Sequence, residues 1–436
     1  MTPFEIGAIA IAVLIVLILI GMPIGLGMLA TSFAGVALIR NDTVAVRMMT
    51  QVANDSLEEY LFAVVPLFVL MGLLVTVSGV GKDTFDVFQK LLRRITAGLG
   101  VATVFANAVF AAITGISIAS ATVFSRIAVP EMRRHGYTNR FATGVVAGSS
   151  VLGMLIPPSL LMIVYAVLAE QSVGRMFLAG VGPGLLLALA FTVTIMLLTT
   201  TRRDFVFETG DEAVYDDIGA WDILRKSVPI LSLMILVLGG LYGGFLNPTE
   251  AGAAGAFGAL VIALMRGSLD RKTLWRLLVE TGQITVSVLF LILAATFFSR
   301  MLALSGVPRE LAEFLLSGNI GPYGFLLVYI LLIIALGCLI DSISIMLIVL
   351  PIALPVADAA GLDLIWFGVI TVIAVEIGLL TPPFGLSVYT IKSAMDDPDL
   401  KVGEIFRGAV PFIFAMLATL LIIILAPSTA TWLARL

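Results

Sequence analysis

GMLIPPS at Gly153–Ser159 is followed 225 residues later by GLLTPPF at Gly378–Phe384. Each stretch sets two adjacent prolines inside an apolar segment. Proline has no N–H, and its ring clashes with the carbonyl four residues back. A helix running into either pair is therefore expected to stop there. Pro157 and Pro158 free the carbonyls of Gly153 and Met154; Pro382 and Pro383 free those of Gly378 and Leu379. Free carbonyls in hydrocarbon cost several kcal/mol each unless something satisfies them. Sodium, a hard cation that binds oxygen, is a suitable partner. The half-helix beyond each break turns its positive N-terminus toward the break, where an anion can sit. One such kink is ordinary in a membrane helix. Two at matching places point to function.

The match extends outward from the prolines at the same offset. IAVP at Ile127–Pro130 falls on IALP at Ile352–Pro355, Gly136 on Gly361, and Ser117-Ile118 on Ser342-Ile343. Over Gly115–Ser159 ten of 45 positions are identical. Further upstream Ser78-Gly79-Val80 matches Ser305-Gly306-Val307 with a small change of length. Charge orients the two copies. The loop Glu131–Arg140 carries Arg133, Arg134 and Arg140, whereas Val356–Ile365 has no lysine or arginine and two aspartates. Basic residues stay on the cytoplasmic side. The two loops are therefore expected on opposite faces, the mark of an inverted-topology repeat with its site near the midplane.

Composition sets the solvent. Of 436 residues 60% are hydrophobic and 12% charged, with a mean hydropathy of +1.12. Soluble domains are about half apolar and about a quarter charged. A span needs about 20 apolar residues, and roughly ten or eleven such stretches are expected. Ten lie near 61–78, 99–113, 141–156, 176–199, 227–246, 250–265, 285–303, 325–340, 364–380 and 409–432. The run from Ile6 to Ile39, interrupted at Gly21-Met22-Pro23, is too long for a signal peptide. It reads as a retained anchor, either two spans or one span and a broken helix. Net charge is −4, which offers no basic patch for nucleic acid. One cysteine, Cys338, and one histidine, His135, leave no material for a disulfide, a cysteine metal cage or a haem site. His135 reads as a solvated loop residue and Cys338 as a small packing residue.

The chain divides accordingly. Residues 1–60 are N-terminal scaffold helices, 61–200 the first repeat, 201–225 a loop, 226–284 scaffold helices with an arm, 285–408 the second repeat and 409–436 a C-terminal helix. Lys82–Ala97 puts Phe85, Phe88, Leu91, Leu92 and Ile95 on one face and its charges on the other, which suits an arm helix in the membrane interface. Leu269–Glu280 reads likewise; a helix packed on a partner is the alternative for both. Segments 114–130 and 337–355 are too short to cross and return, and read as re-entrant hairpins feeding broken helices at 141–170 and 364–395. Their tips carry Ser117 and Ser120 in one copy and Asp341, Ser342 and Ser344 in the other. Packing of small residues is the alternative. Asp341 is the leading polar candidate, since an intramembrane carboxylate is expensive. It could bind a cation, carry a proton or hold the hairpin. Glu376 is similar, and Lys392 could meet an anion or snorkel.

Three segments carry a resemblance. The stretch from Gly153 to Gly184, the segment GCLIDSISIMLIVLPIALP and the segment FGVITVIAVEIGLLTPPFG resemble signatures of the large membrane subunit of tripartite ATP-independent periplasmic (TRAP) transporters. The resemblance spans nearly the whole chain. It implies an all-α integral membrane protein of the ion-transporter superfamily, built from two inverted repeats with re-entrant hairpins and discontinuous helices, and working as an elevator. It implies sodium-coupled import of a small organic anion, a carboxylate such as a C4-dicarboxylate or a sulfonate, across the bacterial inner membrane. Sodium is the coupling ion, and no other cofactor is implied. The implied partners are a small four-helix membrane subunit (Q) and a periplasmic binding protein (P) that delivers substrate. Carried over, one sodium site uses Thr114, Gly153, Ile156 and Pro158. The other uses Gly337, Gly378, Thr381 and Phe384. Ser117, Ser120, Asp341, Ser342, Ser344 and Ser387 are the substrate candidates. The chain departs from many members at Ile116, Ile118 and Phe384. A stand-alone sodium/dicarboxylate carrier is the near alternative. A channel would need a more continuous polar path, and a membrane enzyme more catalytic side chains.

Overall fold

The computed structural model describes residues 1–58, 60–208, 219–317 and 321–435. Apart from one isolated bridge between Tyr137 and Phe207, these residues form helices and their connections. Among the described residues six helices are long and apolar enough to cross a membrane, or up to eight if two bent helix pairs each make one span. Five further apolar helices have 10–17 residues, among them Pro3–Leu19 and Ile24–Ile39, which divide the N-terminal run at Gly21-Met22-Pro23. The fold is that of an all-α, multi-pass membrane protein.

The helix boundaries recur with the sequence offset. Helix Ser117–Arg134 and helix Ser342–Ala359 begin and end 225 residues apart. So do Asn139–Leu155 and Leu364–Leu380, each of which stops just before its proline pair. Pro157-Pro158 and Pro382-Pro383 are both joined by cis bonds. Beyond the breaks lie Leu160–Leu168 and Leu386–Met395. Ahead of them Gly98–Thr114 and Gly321–Gly337 are 17 residues each, about 26 Å long and shorter than the hydrocarbon core. Each leads into its partner through a tight tip, two residues at Gly115-Ile116 and four at Cys338–Asp341. The hairpins are therefore larger than 114–130 and 337–355: those segments cover the tip and the descending arm only, and the ascending arms start at Gly98 and Gly321.

Two amphipathic helices precede the hairpins. Val64–Val77 and Val80–Leu92 meet at a 65° bend, and Arg271–Ser305 is followed by Val307–Ser317. The junctions are built alike. Gly79 and Gly306 hold φ of 77° and 76°, a left-handed conformation that costs glycine no Cβ clash. The Ser78 and Ser305 hydroxyls donate back to Val75 and Leu302 at 2.7 Å each. Leu269–Glu280, expected as a separate arm, is instead absorbed from Arg271 onward into the 35-residue helix Arg271–Ser305. Its one weak point, Gly282, costs a helix interior only about 1 kcal/mol. The second amphipathic helix is Val307–Ser317, a segment the sequence marked only by its Ser-Gly-Val start.

The 201–225 segment is more than a loop in its described part. Residues 203–206 are helical, and Arg140 and Thr138 donate to the carbonyls of Asp204 and Phe205 at 2.6 Å each. Residues 209–218 lie outside the described residues. Helix Val402–Leu425 begins ahead of the expected 409 and packs on Asn139–Leu155 where Gly144 faces Gly408, close enough that a Cβ on Gly144 would lie 2.2 Å from the Gly408 carbonyl oxygen.

Candidate functional site

The first proline break meets the first hairpin tip. Gly115, at φ 64°, passes so near Pro158 that a Cβ there would lie 2.5 Å from its carbonyl oxygen. The Gly115 carbonyl accepts from the Leu160 amide at 3.1 Å. A Cβ on Gly153 would lie 3.2 Å from Ile116 and Ser117 backbone atoms. Thr114 is buried, and its hydroxyl donates to Phe110 at 3.1 Å. Thr114, Gly153 and Pro158 thus surround one tip, while the Ile156 side chain packs toward Gly184.

The second break meets the second hairpin more tightly. A Cβ on Gly378 would lie 2.6 Å from the Gly337 Cα and 2.8 Å from the Ile334 carbonyl oxygen. Thr381 sits beside them, its amide donating to Gly378 at 2.9 Å and its hydroxyl to Ile377 at 2.7 Å. Phe384, three residues on, is 55% exposed.

The proline argument needs correction at two of its four carbonyls. Met154 accepts the Ser159 hydroxyl at 2.5 Å, and Gly378 accepts the Thr381 amide. The chain turns at each break and brings a donor back onto the carbonyl that proline had released. A carbonyl has two lone pairs, so either oxygen can still face a cation.

Helices Ser117–Arg134 and Leu386–Met395 lie side by side and run the same way: Arg126 donates to Ala394 at 3.1 Å and Arg133 to Asp397 at 2.7 Å. Their first turns, with Ser117, Ser120 and Ser387, therefore share one end. All three serines are buried, and the Ser120 and Ser387 hydroxyls have no partner among the described residues. Ser117 donates toward Glu376 at 3.5 Å, across 259 positions, and the second Glu376 oxygen is buried without a partner. Glu376 itself is fully buried.

Asp341 is exposed and accepts the Ser344 amide at 3.1 Å, so it caps Ser342–Ala359. Ser342 and Ser344, in the same first turn, are buried. The ammonium of Lys392 donates to the Asp397 carbonyl, which ties the end of its helix to the following loop. His135 is not solvated, since its side chain is 9% exposed and Nδ1 lies 2.8 Å from the Glu131 carbonyl oxygen. Cys338 is buried and donates to Ile334. The Ser117–Glu376 link and the Arg126 and Arg133 anchors escaped the sequence reading. Arg126 alone left a trace, as a charge between Phe124 and Val129 in an otherwise uncharged stretch.

Residues 11–429 match the family described as tripartite ATP-independent periplasmic transporter, DctM component. The chain belongs to that family. It is 33% identical over 388 residues to the C4-dicarboxylate TRAP transporter large permease protein DctM of Pseudomonas aeruginosa, covering 88% of this chain and 89% of that one. The sialic acid TRAP transporter permease protein SiaT of Haemophilus influenzae is 28% identical, over 97% of this chain and 67% of its own. The ectoine/5-hydroxyectoine large permease protein UehC of Ruegeria pomeroyi is also 28% identical, over 96% of each chain. The crystal structure of the YdaH transporter of Alcanivorax borkumensis shares the fold, with a TM-score of 0.55 over 85% of each chain at 15% identity. This DctM-family chain is thus a large permease subunit, a transporter and not an enzyme.

Proposed function

We propose that this permease subunit imports a small organic anion across the bacterial inner membrane, coupled to sodium, by an elevator motion. A Q-type four-helix subunit and a periplasmic binding protein complete the system. The observation that carries the proposal is the pair of breaks: two helices stop at the same offset, and each break packs on the tip of a hairpin from its own half. Opposite charge in the corresponding loops supports reading the halves as inverted copies.

On this reading sodium is cargo. One ion sits among Thr114, Gly153, Ile156 and Pro158, and the other among Gly337, Gly378, Thr381 and Phe384. Both sites rest largely on backbone oxygens. The anion lies between them, at the first turns that carry Ser117, Ser120 and Ser387. The two hairpins and two broken helices travel as one body, with Val80–Leu92 and Val307–Ser317 as the arms. The names of relatives, which include dicarboxylate, sialic acid, isethionate and ectoine, bracket the substrate class.

Proteoliposomes holding the chain with its Q and P partners test this. Uptake of one of those four compounds should need inward sodium and saturate. Uptake that persists without sodium refutes the coupling. Equal uptake by the chain alone points to a stand-alone carrier.

A further inference from the structure

Glu376 is the one charged residue in the sequence between Asp363 and Lys392. Among the described residues it is also the one charged residue that is buried. Little within the protein meets its carboxyl group. One oxygen lies 3.5 Å from the Ser117 hydroxyl, and the other is buried without a partner. A carboxylate taken out of water is expensive unless it is paired or holds a metal ion. Among the described residues no lysine, arginine or histidine forms an ion pair with it. The helices that pack on Leu364–Leu380 turn their cations elsewhere. Arg175 donates to the Ala434 carbonyl, Lys392 to the Asp397 carbonyl, and Arg407 is exposed. On the hairpin arm that carries Ser117, Arg126 and Arg133 are held by Ala394 and Asp397.

The position points to an ion. Ser117 closes the first hairpin tip, the one that Thr114, Gly153 and Pro158 surround. A Cβ on Gly153 would lie 3.2 Å from the Ser117 Cα. Helix Leu364–Leu380 packs on Leu152–Leu155, the turn that holds Gly153. A carboxyl group from the second half thus comes to the break of the first. The positions assigned to the first ion offer one threonine hydroxyl and backbone oxygens, all of them neutral. A full negative charge is what that set lacks.

We propose that the Glu376 carboxylate is an anionic ligand of the first sodium ion and reaches it across the two halves. That role rests on the sodium reading of the breaks. Sodium then ties the hairpin tip of one half to the broken helix of the other, two residues ahead of Gly378 in the second ion's set.

The test uses purified full-length protein without substrate. Sodium chloride replaces choline chloride at constant ionic strength, and thermal unfolding reads occupancy, since an ion bound to the folded state stabilises it. Glu376→Gln is nearly isosteric, keeps an acceptor for Ser117 and removes the charge. One step of the sodium titration should move to higher concentration by on the order of 100-fold, the worth of a full charge at ligand range inside a protein. Glu376→Asp keeps the charge on a shorter arm and should recover much of that loss. A sodium response in Glu376→Gln equal to that of the unaltered protein overturns the proposal and leaves sodium coupling standing. Equal loss in both variants marks a packing role and overturns it as well. An unaltered protein that sodium stabilises no better than choline overturns the sodium reading and this role together. Should Glu376→Gln misfold, infrared difference spectra of the unaltered protein in sodium and in choline decide. A carboxylate stretch should shift with sodium; a spectrum without that shift overturns the assignment.

Discussion

Gly378→Ala offers the sharpest test of the second break. The added methyl would lie 2.6 Å from the Gly337 Cα and 2.8 Å from the Ile334 carbonyl oxygen. Ordinary carbon contacts need about 3.5–4.0 Å, so one backbone must retreat by roughly 1 Å. Neither neighbour is a flexible side chain that could swing aside. Overpacking of this kind costs about 1–3 kcal/mol, and the displaced groups are those assigned to a sodium ion. At about 1.4 kcal/mol per tenfold change, the sodium concentration for half-maximal uptake should rise roughly 5- to 150-fold. Gly153→Ala supplies the internal control, because its methyl would meet Ile116 and Ser117 atoms at 3.2 Å and ask for only a few tenths of an ångström. Its effect should be several-fold smaller. The assay is sodium-dependent uptake in proteoliposomes, with membrane insertion checked in parallel. Gly378→Ala with unaltered sodium dependence, or Gly153→Ala as the more damaging change, refutes the reasoning.

Other substitutions separate scaffold from site. Ser117→Ala removes the one hydroxyl donor toward Glu376 and leaves a fully buried carboxyl group without it; thermal unfolding should show a loss of about 1–3 kcal/mol. Asp341→Ala should cost about 1 kcal/mol as a lost helix cap, and Asp341→Asn should restore stability and uptake together; loss of uptake in both variants would make the carboxylate a binding group. Ser387→Ala should raise the KM for substrate and leave the sodium dependence unchanged, an outcome that sodium titration at fixed substrate distinguishes from damage to an ion site. The Arg133 guanidinium, by its hydrogen bond first of all, holds the Asp397 carboxyl below the usual carboxylate range. Its folded-state pKa is depressed, so the stabilisation is complete above the ordinary value of about 4 and fades as pH falls through the lowered one. A melting-temperature series from pH 6 to pH 3 should show that acid-side loss, and Arg133→Gln should remove it.

The breaks were legible because proline acts locally: a missing N–H and a ring clash stop a helix whatever packs around it. The long helix Arg271–Ser305 was misread because amphipathic periodicity reports a face and not an end, and no residue before Gly306 stops the chain. Val307–Ser317 was missed because only its Ser-Gly-Val start is shared with the earlier copy. The contact of Ser117 with Glu376 joins the two halves across 259 positions, and no pattern in either stretch encodes that distance. His135 failed for a different reason: its basic neighbours in sequence suggested water, while the end of its own helix turned the ring onto Glu131, four residues back.

Four helices start at a break or a tip, and their capping tells them apart. Ser159 accepts the Met162 amide at the start of Leu160–Leu168, and Asp341 accepts the Ser344 amide at the start of Ser342–Ala359. Ser117–Arg134 has no local side-chain cap, yet Glu376 reaches its first residue from the other half. Leu386–Met395 has neither: it starts from Gly385, with no side-chain cap, and the buried Ser387 hydroxyl in its first turn is unpartnered among the described residues. A helix N-terminus carries about half a positive charge and orphan amides. Two of the four ends are capped by a side chain, and at a third Glu376 meets the Ser117 hydroxyl. The fourth is where the proposed reading sets the anion, at the same end as Ser120 and beside the unpartnered Ser387 hydroxyl. The substrate candidates therefore rank unequally: Ser387 and Ser120 face the unmet demand, whereas Asp341 already spends its carboxylate on a cap.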